Sequence, residues 1–522
     1  MNRRDFLASA SLAPLGAAQT AQAQPAAPAY RSISPFDVGD RAQLLIDDVL
    51  IFESKGVSRT QHPAEKHPAN PLVKADKPWE GWRLEIYGNV IWDEDDQLFK
   101  MWYLGEAPNY FAPSPDGPSA DNSTLYATSR DGIRWEKPPV GTLRSPNGEK
   151  HNAVLFATHL ASTIKDKNDP DPKRRYKMSC YVDAPKDARG YHTMISPDGI
   201  HWTRNSLKPI CRGADVINMC WDAYRKQWIA LAKIGEVVRG TRRRVFWLIT
   251  SNDFEHWTEP ELVWTPDARD DASSFRRIEA SRRLLDVPDD MSRMRTEFYG
   301  FGLYPQESCL LAFPWMFTIN NNARYGNHEG PFELQMGASR DLREWARPFR
   351  TPCLLNGKPG EWDEGLIVTA SQLIRKGDEI WLYYGGANYT HGTPAIYRAQ
   401  GTGRGTRYTG SIGLAKWKID RFASIDGPAQ GGTVTTVPLI FTGNRLEINA
   451  RTSKGGRITA SLLDGAGNPI TGYENSNAFS GDQLRATLAW RGGRTPAELK
   501  GKPVSVRFHL QNAELFSFAF RS

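Results

Sequence analysis

The chain has few cysteines, and their spacing matches no known binding motif. Five occur in 522 residues, without a CxxC pair or a cysteine–histidine cluster of the kind that binds zinc. Because five is an odd number, the cysteines cannot all pair within the chain, and the sequence leaves a disulfide such as Cys211–Cys220 open. A zinc site is therefore unsupported.

The chain also lacks a basic stretch of the kind that follows a phosphate backbone. Its formal net charge is +7 and its pI is near 9.0, yet its 66 lysines and arginines are scattered among 59 acidic residues. No basic run is interleaved with aromatic side chains. Nucleic acid is therefore not an expected partner.

The apolar stretch near the N-terminus is too short to cross a bilayer. This stretch, residues 7–18, follows the twin arginines Arg3-Arg4 and precedes a small-x-small cleavage site at Ala21-Gln22-Ala23. That order is typical of a twin-arginine signal peptide. Residues 1–29 are thus predicted to be a signal peptide and spacer, cleaved near Ala23. We expect a bacterial protein that is exported already folded to the periplasm or the medium, without membrane insertion.

A seven-residue motif recurs along the chain, with a serine, an aspartate two positions later and a tryptophan at its end. Its four copies are 129–135, 196–202, 251–257 and 339–345, and a weaker fifth copy ends at Trp417. Serine and aspartate side chains accept hydrogen bonds from nearby backbone N–H groups, so the motif predicts a tight turn. A short apolar strand precedes each turn. Strand, turn and packed tryptophan, repeated, are typical of propeller blades.

The predicted fold is all-β, with a five-bladed propeller over residues 30–423. Residues 152–156 are predicted to open the second blade, and a strand at 43–52 is predicted to pair with the last blade and close the ring. A Gly/Pro/Thr/Ser-rich segment, 424–438, is predicted to be a linker. Strict alternation of apolar and polar residues over 439–522 predicts a small β-sandwich.

Four of the five predicted inner strands begin with a carboxylate, and each carboxylate lies a similar number of residues before the tryptophan of its motif. Glu85 lies 50 residues before Trp135, Asp215 lies 42 before Trp257, Glu297 lies 48 before Trp345, and Glu364 lies 53 before Trp417. Ring closure would gather these acids at one mouth, where like charges push pKa values apart so that one carboxyl serves as acid and another as base or nucleophile. We expect Asp215 and Glu297 to be the catalytic pair, supported by Glu85 and Glu364. The alternative is that these acids cap turns or pair with arginines such as Arg83, Arg212 or Arg295.

Further residues are candidates for binding substrate. They are Asp47 and Asp48 in the N-terminal strand, His151 and Asn152 at the predicted start of the second blade, His391 in a loop that could lean over the channel, and Trp362 as a stacking platform. A structural calcium ion in the channel is conceivable, but no ligand motif marks one, and no cofactor is expected to be required.

Residues 41–423 resemble the five-bladed propeller glycoside hydrolases of families 32, 43, 62 and 68 and their uncharacterised bacterial relatives. The resemblance rests on the repeats, on Leu44-Leu45-Ile46-Asp47-Asp48, and on 411–417 with Asp420-Arg421-Phe422. The C-terminal module resembles the β-sandwich that accompanies such propellers. The resemblance implies an exported glycoside hydrolase that acts on an oligo- or polysaccharide, with arabinofuranosides or fructofuranosides favoured. It also implies an Asp base or nucleophile, a second Asp that tunes pKa, and a Glu acid, each on a different blade.

The chain departs from those families, and two other functions stay open. The Trp-Met-Asn-Asp-Pro-Asn-Gly run of fructosidases and an Arg-Asp-Pro on the second blade are missing. A sialidase-like hydrolase would need six blades and three arginines, for which Arg83, Arg175 and Arg295 are the candidates. The third possibility is a non-catalytic carbohydrate-binding propeller.

Overall fold

A computed structural model of the chain describes residues 34–522, except 82, 108–109, 112–121, 146, 157, 183–188, 206–207, 325–326 and 393–407. The predicted signal peptide, 1–29, lies outside the described residues. The fold is all-β, a five-bladed propeller followed by a C-terminal β-sandwich, which confirms the prediction from the repeats. All five cysteines are buried and free. Among the described residues, no helix combines the length and the apolar character needed to cross a membrane.

Each blade is an antiparallel sheet, and in blades I to IV the strands run outward from the axis in chain order. Blade I consists of Leu84–Asp93, Leu98–Glu106, Asn122–Ser129 and Ala153–Phe156. Blade II consists of Thr158–Lys165, Tyr176–Val182, Gly190–Ser196 and Thr203–Arg204. Blade III consists of Ile217–Asp222, Gln227–Val238, Thr241–Ser251 and Glu261–Trp264. Blade IV consists of Arg295–Pro305, Leu310–Ile319, Phe332–Leu334 and Gly337–Ser339.

Blade V closes the ring with a strand from the other end of the propeller sequence. Its own strands are Leu366–Thr369, Ile374–Lys376, Glu379–Ala387 and Gly410–Lys418. Its outermost strand is Glu65–Lys66, which pairs with Ala415 and Lys416. The prediction that 43–52 closes the ring is therefore wrong. Glu65–Lys66 takes that place, because 43–52 is already paired within the C-terminal module.

The second blade begins later than the sequence suggested. Ala153–Phe156 pairs with Asn122–Ser129 and is the outer strand of blade I. The inner strand of blade II is Thr158–Lys165, so blade II begins after Phe156 rather than at 152. A short apolar strand has no feature that tells an outer position from an inner one, which is why the sequence misplaced it.

The recurring motif forms the predicted turn. In blade I, Asp131 Oδ1 accepts hydrogen bonds from the backbone N–H groups of Ile133 at 2.9 Å and Arg134 at 2.8 Å. Ser129 Oγ accepts from Gly132 N at 2.9 Å. The tryptophans pack between blades, as Trp202 of the second turn does against Trp102 of blade I, with ring centroids 6.4 Å apart. The motif therefore fixes both the turn and the spacing of the blades.

Gly132 has a packing role that Phe254 and Leu342, its counterparts in the third and fourth copies of the motif, do not share. Its φ is +74°, and Phe254 and Leu342 hold φ of +67° and +70° at the same motif position. A left-handed conformation is thus tolerated by side chains there, at a cost of about 1–2 kcal/mol. A Cβ on Gly132, however, would lie 2.6 Å from both Trp381 and Tyr383 of blade V.

We expect Gly132→Ala to lower the free energy of unfolding by about 2–5 kcal/mol, because backbone strain adds to overpacking against blade V. Gly148→Ala is the matched control, since Gly148 has φ of +67° and no atom within 4 Å of its added Cβ. Urea denaturation of both variants measures the difference, and equal losses would mean that the contact with blade V is unimportant.

A short helical insertion joins blades III and IV. It contains the helices Ala268–Ala272 and Ser274–Ala280, followed by the 3-10 turn Arg282–Leu284. Three further 3-10 turns are Pro78–Glu80, Pro172–Arg174 and Pro496–Leu499, and a fourth, Arg491–Gly493, is kinked at Gly492. A small two-stranded hairpin, Asn321–Asn322 with His328–Glu329, follows the middle strand of blade IV.

The C-terminal module is built from both ends of the described chain. Its strands are Gln43–Leu44, Ile51–Lys55, Ser58–Gln61, Ala423–Gly427, Gly432–Thr436, Arg445–Leu463, Asp482–Leu488 and Ser505–Arg521. Phe36–Gly39 pairs in parallel with Leu439–Phe441. Most of the predicted linker, 424–438, is therefore strand. The linker prediction was based on the Gly and Pro residues of this segment. It failed because the Thr and Val residues between them form strands.

Two long strands hold this module together. Ser505–Arg521 pairs with Arg445–Leu463 along most of its length, and the pairing shifts register at two places. The same strand also pairs with the N-terminal strand Gln43–Leu44. The core of the module is separate from that of the propeller and contains Trp490, Phe508 and Phe518.

Candidate active site

A cavity of 330 Å³ lies on the propeller axis, and its wall is formed by the inner strands of blades I, II, IV and V and by the segment just before the inner strand of blade III. Glu85 and Tyr87 come from blade I, His159 from blade II, Tyr299 from blade IV, and Leu366 and Val368 from blade V. Asp215 lies two residues before the inner strand of blade III. The polar part of the wall is completed by Arg83, Glu106, Asn122, Asn327, Tyr389 and His391. We call this the axial cavity.

Asp215 sits at the centre of a charged network in the axial cavity. Its Oδ2 accepts a hydrogen bond from Lys233 Nζ at 2.6 Å, and its Oδ1 lies 3.1 Å from His159 Nδ1. The Tyr299 hydroxyl also donates to it. Its φ is +76°, a left-handed value that is uncommon for a non-glycine residue and costs about 1–3 kcal/mol. The fold therefore holds this carboxylate in place against backbone strain.

The neighbours of Asp215 keep it ionised. Burial by itself would raise the pKa of Asp215, but Lys233 and His159 outweigh it and hold that pKa well below its usual range. The same interactions also shift the pKa values of Lys233 and His159. Burial lowers the pKa of Lys233 to about 8, against the opposing effect of Asp215. For His159, the hydrogen bond and charge of Asp215 overcome burial and raise the pKa.

Glu85 has the opposite electrostatic environment. Burial raises its pKa above the usual range, Arg83 opposes that rise, and the carboxylates of Glu106 and Asp215 add to it. Arg83 Nη1 lies 2.7 Å from Glu85 Oε1, while its Nε donates to Glu106. One cationic group thus serves two buried carboxylates, which favours a proton on one of them.

His391 lies in the axial cavity as expected, in its neutral form. Its Nδ1 donates to the carbonyl oxygen of His328 at 2.7 Å, and its ring stacks on Phe332 with centroids 5.7 Å apart. Burial, aided by Arg244 and Lys233, lowers the pKa of His391 to about 3. A neutral imidazole wedged in this way can offer Nε2, 3.3 Å from the Tyr299 hydroxyl, to a substrate hydroxyl.

The expectation that four acids meet at one mouth holds for two of them. Glu85 and Asp215 line the axial cavity, and Glu297 and Glu364 do not. Glu297 is buried behind the wall, where Arg295 Nε donates to it at 2.8 Å and Arg244 also binds it. Glu364 pairs with Arg283 of the helical insertion and accepts from Gly360 N at 2.6 Å. Ring closure gathers the inner strands as predicted, but the acid in blade IV points into an arginine pair.

Five of the six predicted binding residues lie away from the axial cavity and are engaged in structural contacts. Asp47 binds Arg340 at 2.8 Å, and Asp48 binds Arg59 at 2.6 Å. Asn152 accepts from Trp79 Nε1 at 2.7 Å, and the Nε2 of its neighbour His151 donates to the carbonyl oxygen of Leu143. Trp362 stacks on Tyr384 with centroids 5.4 Å apart. These five candidates therefore lie outside the axial cavity, and each makes a contact with another part of the scaffold.

Three residues of the network escaped the sequence analysis: His159, Lys233 and Tyr299. His159 had a detectable signal, since it precedes Trp202 by 43 residues and Asp215 precedes Trp257 by 42. It was missed because the second blade was started at 152. Lys233 lies on a middle strand and Tyr299 two residues beyond Glu297, where no sequence pattern distinguishes them from core positions.

The described residues contain no group of three or more His, Cys, Asp or Glu that could hold a metal ion. The triad of arginines considered for a sialidase does not assemble. Arg83 lines the axial cavity but is engaged with Glu85 and Glu106, Arg295 is bound to Glu297, and Arg175 is not part of the wall.

Comparisons with known proteins show distant likenesses. No protein-family model and no curated protein matches the sequence. A glycosyl hydrolase from Bacteroides ovatus is 13% identical, with a TM-score of 0.41 over 73% of this chain and 97% of the other. An exo-inulinase from Aspergillus awamori is 10% identical, with a TM-score of 0.38 over 87% of this chain and 99% of the other. A β-1,2-mannobiose phosphorylase from Listeria innocua is 12% identical, with a TM-score of 0.38 over 69% and 98%. Likenesses this distant carry no weight for the function of this chain.

Proposed function

We propose that this protein is a glycoside hydrolase whose catalytic carboxylates are Asp215 and Glu85. One observation carries the proposal: the axial cavity holds two carboxyl groups from different blades whose pKa values are shifted in opposite directions. Hydrolysis of a glycosidic bond requires such a pair, one protonated and one ionised.

The roles follow from the environments. Asp215 is ionised through Lys233 and His159 and serves as the base or nucleophile. Glu85 keeps its proton to a higher pH and donates it to the leaving oxygen. Glu297 acts as a positioning residue, because it fixes Arg244 and Arg295 at the edge of the site. This assignment replaces the expected pair of Asp215 and Glu297.

The first experiment is a screen of the purified protein on nitrophenyl furanosides and pyranosides, with arabinofuranosides and fructofuranosides first. Release of nitrophenol would support an enzyme. Binding of oligosaccharides without turnover on any of them would favour the non-catalytic carbohydrate-binding propeller instead.

The pH dependence of kcat/KM tests the roles. We expect the rate to fall on the basic side as Glu85 loses its proton, and on the acidic side as Asp215 gains one. Lys233→Met removes the ammonium group that holds the pKa of Asp215 down. The acidic limb should then move up by at least about 1 pH unit, while the basic limb stays.

The matched control is Lys177→Met, which removes a buried, ion-paired lysine from the middle strand of blade II. It should leave both limbs in place. An acidic limb that does not move in Lys233→Met would show that Asp215 is not the group titrating there.

Export to the periplasm or the medium is also part of the proposal. It is supported by the twin arginines Arg3-Arg4 and the cleavage site near Ala23. An exported hydrolase of this kind would meet oligo- or polysaccharides outside the cytoplasm.

A further inference from the structure

A second cavity, of 440 Å³, adjoins the axial cavity and shares Asp215, Tyr299 and Asn327 with it. Its wall carries four cationic side chains: Arg212, Lys233, Arg242 and Arg244. Asp215 is the one carboxylate among its lining residues. We call this space the basic cavity.

Two of the four cations are already balanced, and two are not. Lys233 pairs with Asp215, and Arg244 pairs with Glu297 behind the wall. Arg212 and Arg242 form no ion pair with any residue in the part of the chain that the structure describes. The basic cavity therefore has a positive surplus next to the proposed catalytic pair.

Two glycines in the wall allow neighbouring side chains to pack closely against the backbone. A Cβ on Gly235 would lie 3.0 Å from Arg242 Nε and 3.1 Å from its Nη2, so the guanidinium rests on bare backbone. A Cβ on Gly213 would lie 2.1 Å from the ring of Tyr191, so this position admits no side chain. The wall of the basic cavity therefore includes backbone at Gly213 and Gly235 as well as the cationic side chains.

We propose that the basic cavity binds an anionic group, a carboxylate or a sulfate, on a sugar unit next to the bond that is cleaved. The substrate class is then an acidic saccharide. Guanidinium groups bind such groups through paired N–H donors, and both Arg212 and Arg242 line the basic cavity. The statement that the anionic group lies next to the cleaved bond rests on the proposed function. The binding of the anionic group itself does not.

The arginines concerned differ from those considered for a sialidase. Arg83 and Arg295 are held by Glu85, Glu106 and Glu297, whereas Arg212 and Arg242 project into the neighbouring space. An anion in the basic cavity would lie close to Asp215 and Lys233, which line the same space.

Binding of monosaccharide probes tests the inference without requiring hydrolysis. Glucose, glucuronate, glucose 6-sulfate and inorganic sulfate are titrated into the wild-type protein at low and at high salt. We expect glucuronate or glucose 6-sulfate to bind at least about tenfold more tightly than glucose, and the advantage to shrink at high salt. Which of the two binds better identifies the anionic group.

The Arg212→Gln/Arg242→Gln double variant should lose that advantage while keeping its affinity for glucose. Arg130→Gln/Arg491→Gln is the control, because both arginines are exposed, lie outside both cavities, and their loss lowers the net charge by two, as in the double variant. Equal binding of all sugars, an unchanged preference in the double variant, or inorganic sulfate binding as well as the sulfated sugar would overturn the proposal. Since monosaccharides are not hydrolysed, failure of the glycosidase assignment is recorded separately by the nitrophenyl screen.

Discussion

Asp215→Asn should reduce kcat/KM by at least about 10³-fold on any glycoside that the wild-type protein hydrolyses. The amide keeps the size of the side chain, but it cannot take a proton or attack a sugar carbon. It also leaves Lys233 buried beside a neutral group, so the pKa of Lys233, already lowered to about 8, should fall further. Substrate binding should change much less than turnover.

The control for this variant lies on the strand that Asp215 precedes. Asp222 ends the strand Ile217–Asp222, is fully buried, and pairs with Arg225 at 2.5 Å, outside both cavities. Asp222→Asn should keep near wild-type kcat/KM in protein that is still folded. If Asp215→Asn retained a tenth or more of the wild-type rate, Asp215 would not be the base or nucleophile.

Glu85→Gln extends the same experiment to the proposed acid. A nitrophenolate departs without protonation, whereas a sugar alcohol does not. Loss of Glu85 should therefore slow an oligosaccharide far more than a nitrophenyl glycoside. Equal losses on both substrates would argue against the acid role.

Asp270→Ala should lower the free energy of unfolding by about 3–5 kcal/mol, the largest stability effect that we expect from a single substitution. Asp270 is fully buried and accepts hydrogen bonds from Arg347 at 2.7 and 2.8 Å and from Arg350 at 3.2 Å. Arg347 is itself buried, so the variant leaves an uncompensated charge in the joint between the helical insertion and blade IV. Chemical denaturation measures the loss.

Two further variants separate the buried charge from the general effect of losing an ion pair. Glu261→Ala removes the exposed pair with Arg343 and should cost no more than about 1 kcal/mol. Adding Arg347→Met to Asp270→Ala should restore part of the lost stability, because the stranded charge is then gone. A loss below about 1 kcal/mol in Asp270→Ala would mean that water reaches Arg347 after the substitution.

The repeats made the propeller predictable because each copy is a local structure. Ser129, Asp131 and Trp135 define a turn and a packing position within seven residues. The sequence does not distinguish inner from outer positions for short apolar strands, and residues 152–156 were therefore assigned to the wrong blade. The ring closure was misplaced for a related reason: Glu65–Lys66 is a two-residue strand with no apolar pattern at all.

From the sequence, only those residues of the candidate site that lie at the start of an inner strand could be predicted. Glu85 and Asp215 were found because they begin such strands, and His159 could have been found in the same way. Lys233 was not accessible to this reasoning, since its role depends on a middle strand that brings it within 2.6 Å of Asp215. Glu297 is the opposite case. It lies at the expected position near the start of an inner strand, but it is paired with Arg244 and Arg295 instead of lining the axial cavity.

The pairing of Phe36–Gly39 with Leu439–Phe441 and of Gln43–Leu44 with Ser505–Arg521 makes the propeller an insert within the sandwich. During synthesis the first strands of the sandwich leave the ribosome before any blade, but their partners leave it after the last one. These early strands must wait unpaired while the whole ring is made. The sandwich can consequently be completed only after all five blades have been synthesised.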